Sequence, residues 1–182
     1  ESEDIAWLEA GDDALHPVCV ERAAARHAEC LAQTDHAAAL RALDRFRVLA
    51  ALHRGPFGVT EINRRVATRL QGQGLIAGGE DYHGKPVLVT TNDYEVGLYN
   101  GDVGLLWRAP DGALRAWFPA GEGEPRSVSV RQLPEHVPAY ALTVHKSQGS
   151  ELDEVLLVLP AEASPLLTRE LIYTGITRAR RK

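Results

Sequence analysis

The chain has 182 residues, 45% hydrophobic and 25% charged, the mixture of an ordinary globular protein of one or two domains. A net charge of −5 excludes a basic coat for nucleic acid or membrane, and no apolar run approaches the roughly 18–20 residues of a bilayer span. Two cysteines, Cys19 and Cys30, make neither a disulfide framework nor a CxxC pair, and the seven histidines form no zinc-ligand cluster. Glu1–Asp4 lacks the layout of a signal peptide, and with no methionine anywhere the sequence is expected to be a piece of something longer.

Charge is unevenly spread. Residues 1–40 carry two basic against nine acidic groups, whereas 41–70 carry seven arginines against Asp44 and Glu61. Such a stretch is either a groove for an anion or a solvated helix face. In chain order, Val20–Gln33 is Ala-rich with interleaved charge and predicts a helix. Thr34 or Asp35 caps a second over His36–Leu43. Phe46–Leu52 is an apolar run of strand length, broken at Gly55-Pro56-Phe57-Gly58. Thr60 is expected to cap a helix through Ile62, Val66 and Leu70, which Gln71–Gly74 ends. Pro86–Thr91 predicts another strand, so the order so far is that of an α/β sheet.

From Asn100 the pattern changes. Asp102–Trp107, Ala113–Phe118 and Arg126–Val130 are short β runs separated by turn clusters, which predicts a small antiparallel barrel of about 40 residues inserted into the α/β domain. After Pro138 the α/β pattern resumes. Glu154–Leu159 is almost continuously apolar, as in a sheet-buried strand, and Thr168 caps a helix with Leu171, Ile172, Ile176 and Ala179 on one face.

Three stretches are too polar for folding alone. Ala141–Asp153 crowds hydroxyl, imidazole, ammonium, amide and carboxylate groups before a buried strand. Thr143, His145, Lys146 and Ser147 offer donors to a phosphodiester backbone; Gly149 lets the main chain approach a ligand, and Glu151 offers an acceptor for a sugar hydroxyl. The alternative is a polar turn ended by a glycine. In Tyr173–Arg181, Arg178 has small Gly175 and Ala179 beside it, and its planar fork suits phosphate oxygens; the alternative is a side chain complementing the helix dipole. In Thr91–Gly104, Asn92 and Tyr94 at a strand end can bond and stack on an unpaired base, or the stretch is a plain strand–turn–strand.

Together and in this order these stretches resemble the C-terminal half of a superfamily-one, 5′-to-3′ DNA helicase, nearest to the RecD family, the alpha subunits of exodeoxyribonuclease V. The likeness is carried by FRVLAALHRGPFGVTEIN, TNDYEVGLYNGDVG, LPEHVPAYALTVHKSQGSELDEVLLVLP and LLTRELIYTGITRARR, from about residue 46 to 182. It implies a RecA-like parallel sheet with helices on both faces, the second motor domain of a P-loop NTPase fold, with an SH3-like barrel inserted. The implied division is 1–98 and 139–182 for the RecA-like part, 99–138 for the barrel.

The resemblance makes HKSQGSE motif V and YTGITRARR motif VI. Arg178 is then the arginine that reaches the γ-phosphate of ATP. Gln148, Gly149 and Glu151 stand on the nucleotide side, and Thr143, His145, Lys146 and Ser147 on the side of single-stranded DNA. Gly55, Gly58 and Asn63 fall where motif IV lies. No G-x-x-x-x-G-K-[ST] occurs, so ATP and Mg2+ are expected to be held mainly by another motor domain. Also implied are the partners RecB and RecC, a role in repair and recombination, and a cytoplasmic setting. A Pif1-like or relaxase helicase shares motifs V and VI, and a non-catalytic binding module is the reading from another class.

Overall fold

The computed structural model describes residues 15–121, 123–147, 149, 152–160 and 165–180. Helices α1 (Pro17–Leu31) and α2 (His36–Leu43) precede strand β1 (Phe46–Ala50), helix α3 (Val59–Gly72) and strand β2 (Pro86–Val89). Strands β3 (Val103–Arg108), β4 (Leu114–Ala120), β5 (Gly123–Ser129), β6 (His136–Pro138) and β7 (Ala141–Thr143) follow, then β8 (Glu154–Val158) and helix α4 (Arg169–Ile176). Short 3-10 turns occupy Val130–Gln132 and Val144–Ser147.

Local signals placed several ends well. Asp35 caps α2, its Oδ1 accepting from the Ala38 N–H at 2.8 Å. Thr168 caps α4 through Leu171 N–H. α1 starts earlier than its Ala-rich run suggests, because Pro17 sits at its first turn, where a missing N–H costs nothing. Gly58, not Thr60, is the cap of α3; the Thr60 hydroxyl instead donates to His53 O at 3.1 Å.

The parallel sheet has three strands in the order β7-β1-β8. Val48 faces Ala141 and Leu156, and Ala50 faces Thr143 and Val158. Alternation along β1 sends Val48 and Ala50 toward α1 and α3, where they pack with Ala24, Ile62, Val66 and Leu70. Leu49 and Ala51 point the other way, to Leu142, Val144, Leu157 and Leu171 of α4. Helices therefore cover both faces of the sheet. β8 is only half-buried over most of its length, not sealed as its apolar run predicts, because it is an edge strand among the described residues.

The second sheet is antiparallel, in the order β5-β4-β3-β2-β6. β2 pairs with β3 and β6 here and not with the parallel strands, so its four apolar residues belong to a different sheet from the one their order suggests. Leu105 and Trp107 on one face of β3 pack against Ala39, Leu40 and Leu43 of α2. Leu106 on the other joins Val87, Val89, Ala116 and Phe118 over Leu98.

The crossing from β6 to β7 is clamped from the parallel side. The Asn63 amide, 6% exposed, donates to Pro138 O at 2.8 Å and Ala141 O at 3.3 Å, while its Oδ1 accepts from Ala141 N–H at 2.8 Å. Buried Arg47 donates to Ala139 O at 2.9 Å. No helix among the described residues is long and apolar enough to cross a membrane.

Candidate functional site

The segment between β7 and β8 carries the densest candidate chemistry, and topology stretches it out. Thr143 lies level with Ala50, and Glu154 level with Phe46. Four residues of strand separate those levels, about 13 Å. The connection runs from the carboxyl end of β7, through the 3-10 turn, to the amino end of β8. Its two ends meet different neighbours.

At the β8 end, the chain following α4 folds back alongside. Leu152 N–H donates to Arg178 O at 2.9 Å, and Arg180 N–H donates to Leu152 O at 2.6 Å, a parallel bridge centred on Leu152 and Ala179. Leu152 and residues 178–180, which the sequence separates by more than two dozen positions, thus form one backbone-bonded unit. Arg178 lies beyond the helix, not on it: α4 stops at Ile176, Thr177 is its C-cap, and the Thr177 hydroxyl turns back to Tyr173 O at 2.9 Å. The Arg178 Nε–H donates to Thr174 O at 3.4 Å. Gly175 does not make room for the guanidinium. A Cβ there would stand 3.0 Å and 3.2 Å from the Leu157 methyls and 3.6 Å from Val144 Cγ2, so the glycine lets α4 lie close on β8. The expected apolar face is likewise shifted: Leu171 and Gly175 are buried, while Ile176 and Tyr173 are exposed. Gly149 is exposed with φ +86°, a conformation that favours glycine, and open space surrounds it. Gln148 and Glu151 lie outside the described residues.

At the β7 end, the neighbours come from the antiparallel sheet. The Thr143 hydroxyl accepts from Lys146 N–H at 3.3 Å. Lys146 Nζ donates to Asn100 Oδ1 at 2.5 Å, and Asn100 N–H donates to Asn92 Oδ1 at 2.8 Å. Tyr94 stands 78% exposed on the same turn. The structure thus joins Thr143, Lys146, Asn92 and Tyr94 through Asn100 and the turn around it. In the sequence Asn100 marks only where the pattern changes; its role as the bridge to Lys146 depends on the fold.

Other candidates part from this group. Ser147 is 1% exposed, and its hydroxyl donates to Val144 O at 2.7 Å, so it closes the 3-10 turn and offers nothing to a ligand. Asn63 spends its amide on the β6–β7 crossing. His145 diverges from Lys146 and lines a cavity of about 290 Å3 with Thr168 and Glu170 of α4's first turn. Gly58 is needed for packing: a Cβ there would come within 2.5 Å of the Arg54 carbonyl group. Gly55 is exposed in the loop after β1 with φ +92°.

Four of the seven arginines in the stretch 41–70 are paired with carboxylates. Arg64 and Arg65 both bond Glu61, whose carboxyl they hold down to about 2, chiefly through those hydrogen bonds. Arg69 pairs with Glu21 at 2.9 Å, and Arg47 is buried beside Asp44 at 3.6 Å. Near the amino end of β8, Glu154 draws both Arg22 and Arg26 of α1.

Against known families, residues 138–182 match the UvrD-like helicase C-terminal domain. This interval contains β7, the 3-10 turn, β8 and α4, and with them the Leu152–Arg178 unit. The wider likeness is to RecD. The chain is 46% identical over 147 residues to the RecBCD enzyme subunit RecD of Mycolicibacterium smegmatis, covering 80% of this chain and 26% of that protein. It is 42% identical over 139 residues to the same subunit of Haemophilus influenzae, covering 75% of this chain and 20% of that one. The chain spans about a quarter of the length of these relatives. Among solved structures it is similar to Bacteroides Pif1 bound to ssDNA, with TM-score 0.45, 15% identity, and coverage of 92% of this chain and 47% of that one.

Proposed function

We propose that this segment is the second motor domain of an ATP-dependent 5′-to-3′ DNA helicase of the RecD kind, working with RecB and RecC in the repair of broken duplex ends. The observation that carries the reading is the backbone bridge between Leu152 and Arg178–Arg180. It ties Leu152, at the end of the stretch read as motif V, to the main chain of Arg178 in the stretch read as motif VI, which supports reading both as serving one nucleotide. ATP, held with Mg2+ mainly by another motor domain, supplies the phosphoryl group whose transfer drives the stroke. The donor set here fits that ligand: a guanidinium of fixed charge and a glycine loop with open space in front of it.

In this reading Arg178 presents its charge across the cleft to the phosphate where negative charge develops, and an arginine so supplied contributes roughly 10³ to 10⁵ in rate. Gln148 and Glu151 serve the nucleotide beside Gly149. Tyr173, 71% exposed, and Ile176 form the outer face of α4 that meets the first motor domain. Thr143, Lys146, Asn92 and Tyr94 touch single-stranded DNA, about 13 Å along the strands from the nucleotide edge. The antiparallel sheet corresponds to the SH3-like insertion.

In the full-length protein, Arg178→Ala is expected to cut DNA-stimulated ATP hydrolysis at least about a hundredfold while single-strand affinity stays near wild type. Arg178→Lys does not restore turnover, since the ammonium lacks the planar fork. Near-normal hydrolysis in Arg178→Ala overturns the assignment.

A further inference from the structure

The turn 91–102 carries a surface that the core does not use. We propose that Tyr94 and Tyr99 form a paired-ring platform on which an unpaired DNA base stacks, and that Asn100 presents Lys146 to the phosphate beside it. This rests on the single-strand reading above and extends it to two residues, Tyr99 and Asn100, that come into view only in the folded chain.

The two rings meet edge to face, centroids 5.9 Å apart at 71°, with Tyr99 47% exposed and Tyr94 more so. An exposed tyrosine alone is ordinary; two that hold each other upright keep π-faces ready for a third ring. The turn beneath them is braced at every corner. Asp93 and Leu98 exchange backbone hydrogen bonds at 2.7 Å and 3.0 Å, and Leu98 is sealed in the core. Asp93 Oδ1 accepts from the N–H groups of Glu95 and Val96, and Asp102 Oδ2 accepts from Tyr99 N–H at 2.9 Å. Arg126 Nη2 donates to Gly97 O. A platform fixed beforehand loses little ordering entropy when a base arrives.

Charge decides how the affinity divides. Asp93, Glu95 and Asp102 oppose Lys146 and Arg126, so the surface is not basic. Attraction to phosphate comes from the single ammonium of Lys146, and the rest comes from the rings. The parallel sheet thereby contributes the backbone contact and the antiparallel sheet the base contact, to one strand.

The test uses the full-length protein and a fluorescein-labelled oligothymidine, titrated by anisotropy over a range of salt. Tyr94→Ala and Tyr99→Ala each weaken binding about five- to 150-fold, the measured worth of a stacked base, with the salt slope unchanged. The Tyr→Phe variants keep wild-type affinity, which also shows that the fold is intact. Lys146→Ala lowers the salt slope by about 0.7, the loss of one single-strand phosphate. Alanine variants that bind like wild type while ATPase stays DNA-stimulated overturn the platform and leave the motor reading standing. A wild-type protein whose ATPase ignores the oligonucleotide overturns both.

Discussion

Asn63 shows how a single side chain can be read for the wrong task. The family resemblance set it with Gly55 and Gly58 where motif IV lies, yet all three of its hydrogen bonds go to the main chain at Pro138 and Ala141. Nothing local could reveal this, because the partners lie more than seventy residues away. Asn63→Ala is expected to destabilise the protein by about 1–3 kcal/mol, the cost of leaving buried backbone groups unpaired. Asn63→Asp keeps the acceptor for Ala141 N–H but turns a carboxylate toward two carbonyls, and it loses more at neutral pH than in acid. Urea denaturation at two pH values checks both. Lys146, by contrast, stays exposed in its polar loop, whereas Lys85, in an equally polar loop, is buried, and no local signal separates the two.

Elements with strong local signals were readable, and those without were not. The capped helices α2 and α4 begin where Asp35 and Thr168 place them. β6 and β7 have three residues each, too short for a periodicity to show, and two prolines flank or end β6. β2 was visible as a strand, but pairing is a tertiary matter, so its membership of the antiparallel sheet was hidden. At Gly175 two magnitudes compete. Alanine gains about 0.5–1 kcal/mol within a helix, while overpacking against Leu157 and Val144 costs roughly 1–3. Gly175→Ala is therefore expected to stay within about 1 kcal/mol of wild type, the Leu157 methyls yielding a few tenths of an ångström. Gly175→Val lacks that escape, lifts α4 from β8, and lowers stability and ATPase together; thermal melts and turnover measured on both variants decide it.

At the level of the whole molecule, Leu88 of β2 packs with Leu49 and Leu142 of the parallel sheet, and buried polar links add to that apolar junction. One is His27 of α1, whose Nε2–H donates to Gly84 O at 2.7 Å just before β2, its ring edge-on to Tyr140. Burial lowers the His27 pKa to about 4; the Gly84 bond opposes this, and Arg47 adds to it. The unfolded chain therefore binds the extra proton first. Stability is fully present above about pH 6.5 and falls as pH drops toward 4, by on the order of 3 kcal/mol from this group. His27→Gln, which retains a donor for Gly84 O but does not titrate, is expected to flatten that slope; denaturation midpoints measured between pH 7 and pH 4 read it directly.

The ladder rungs between Leu152 and the stretch 178–180 carry a mechanical corollary. Two probes attached there sit on one backbone-bonded tile, so in the proposed motor their spacing is expected to hold constant, as an internal ruler, through each round of hydrolysis. Any change of length must show up elsewhere, against the neighbouring lobe. A ruler that stretched would mean that the rungs break, and Arg178 would then move independently of Leu152.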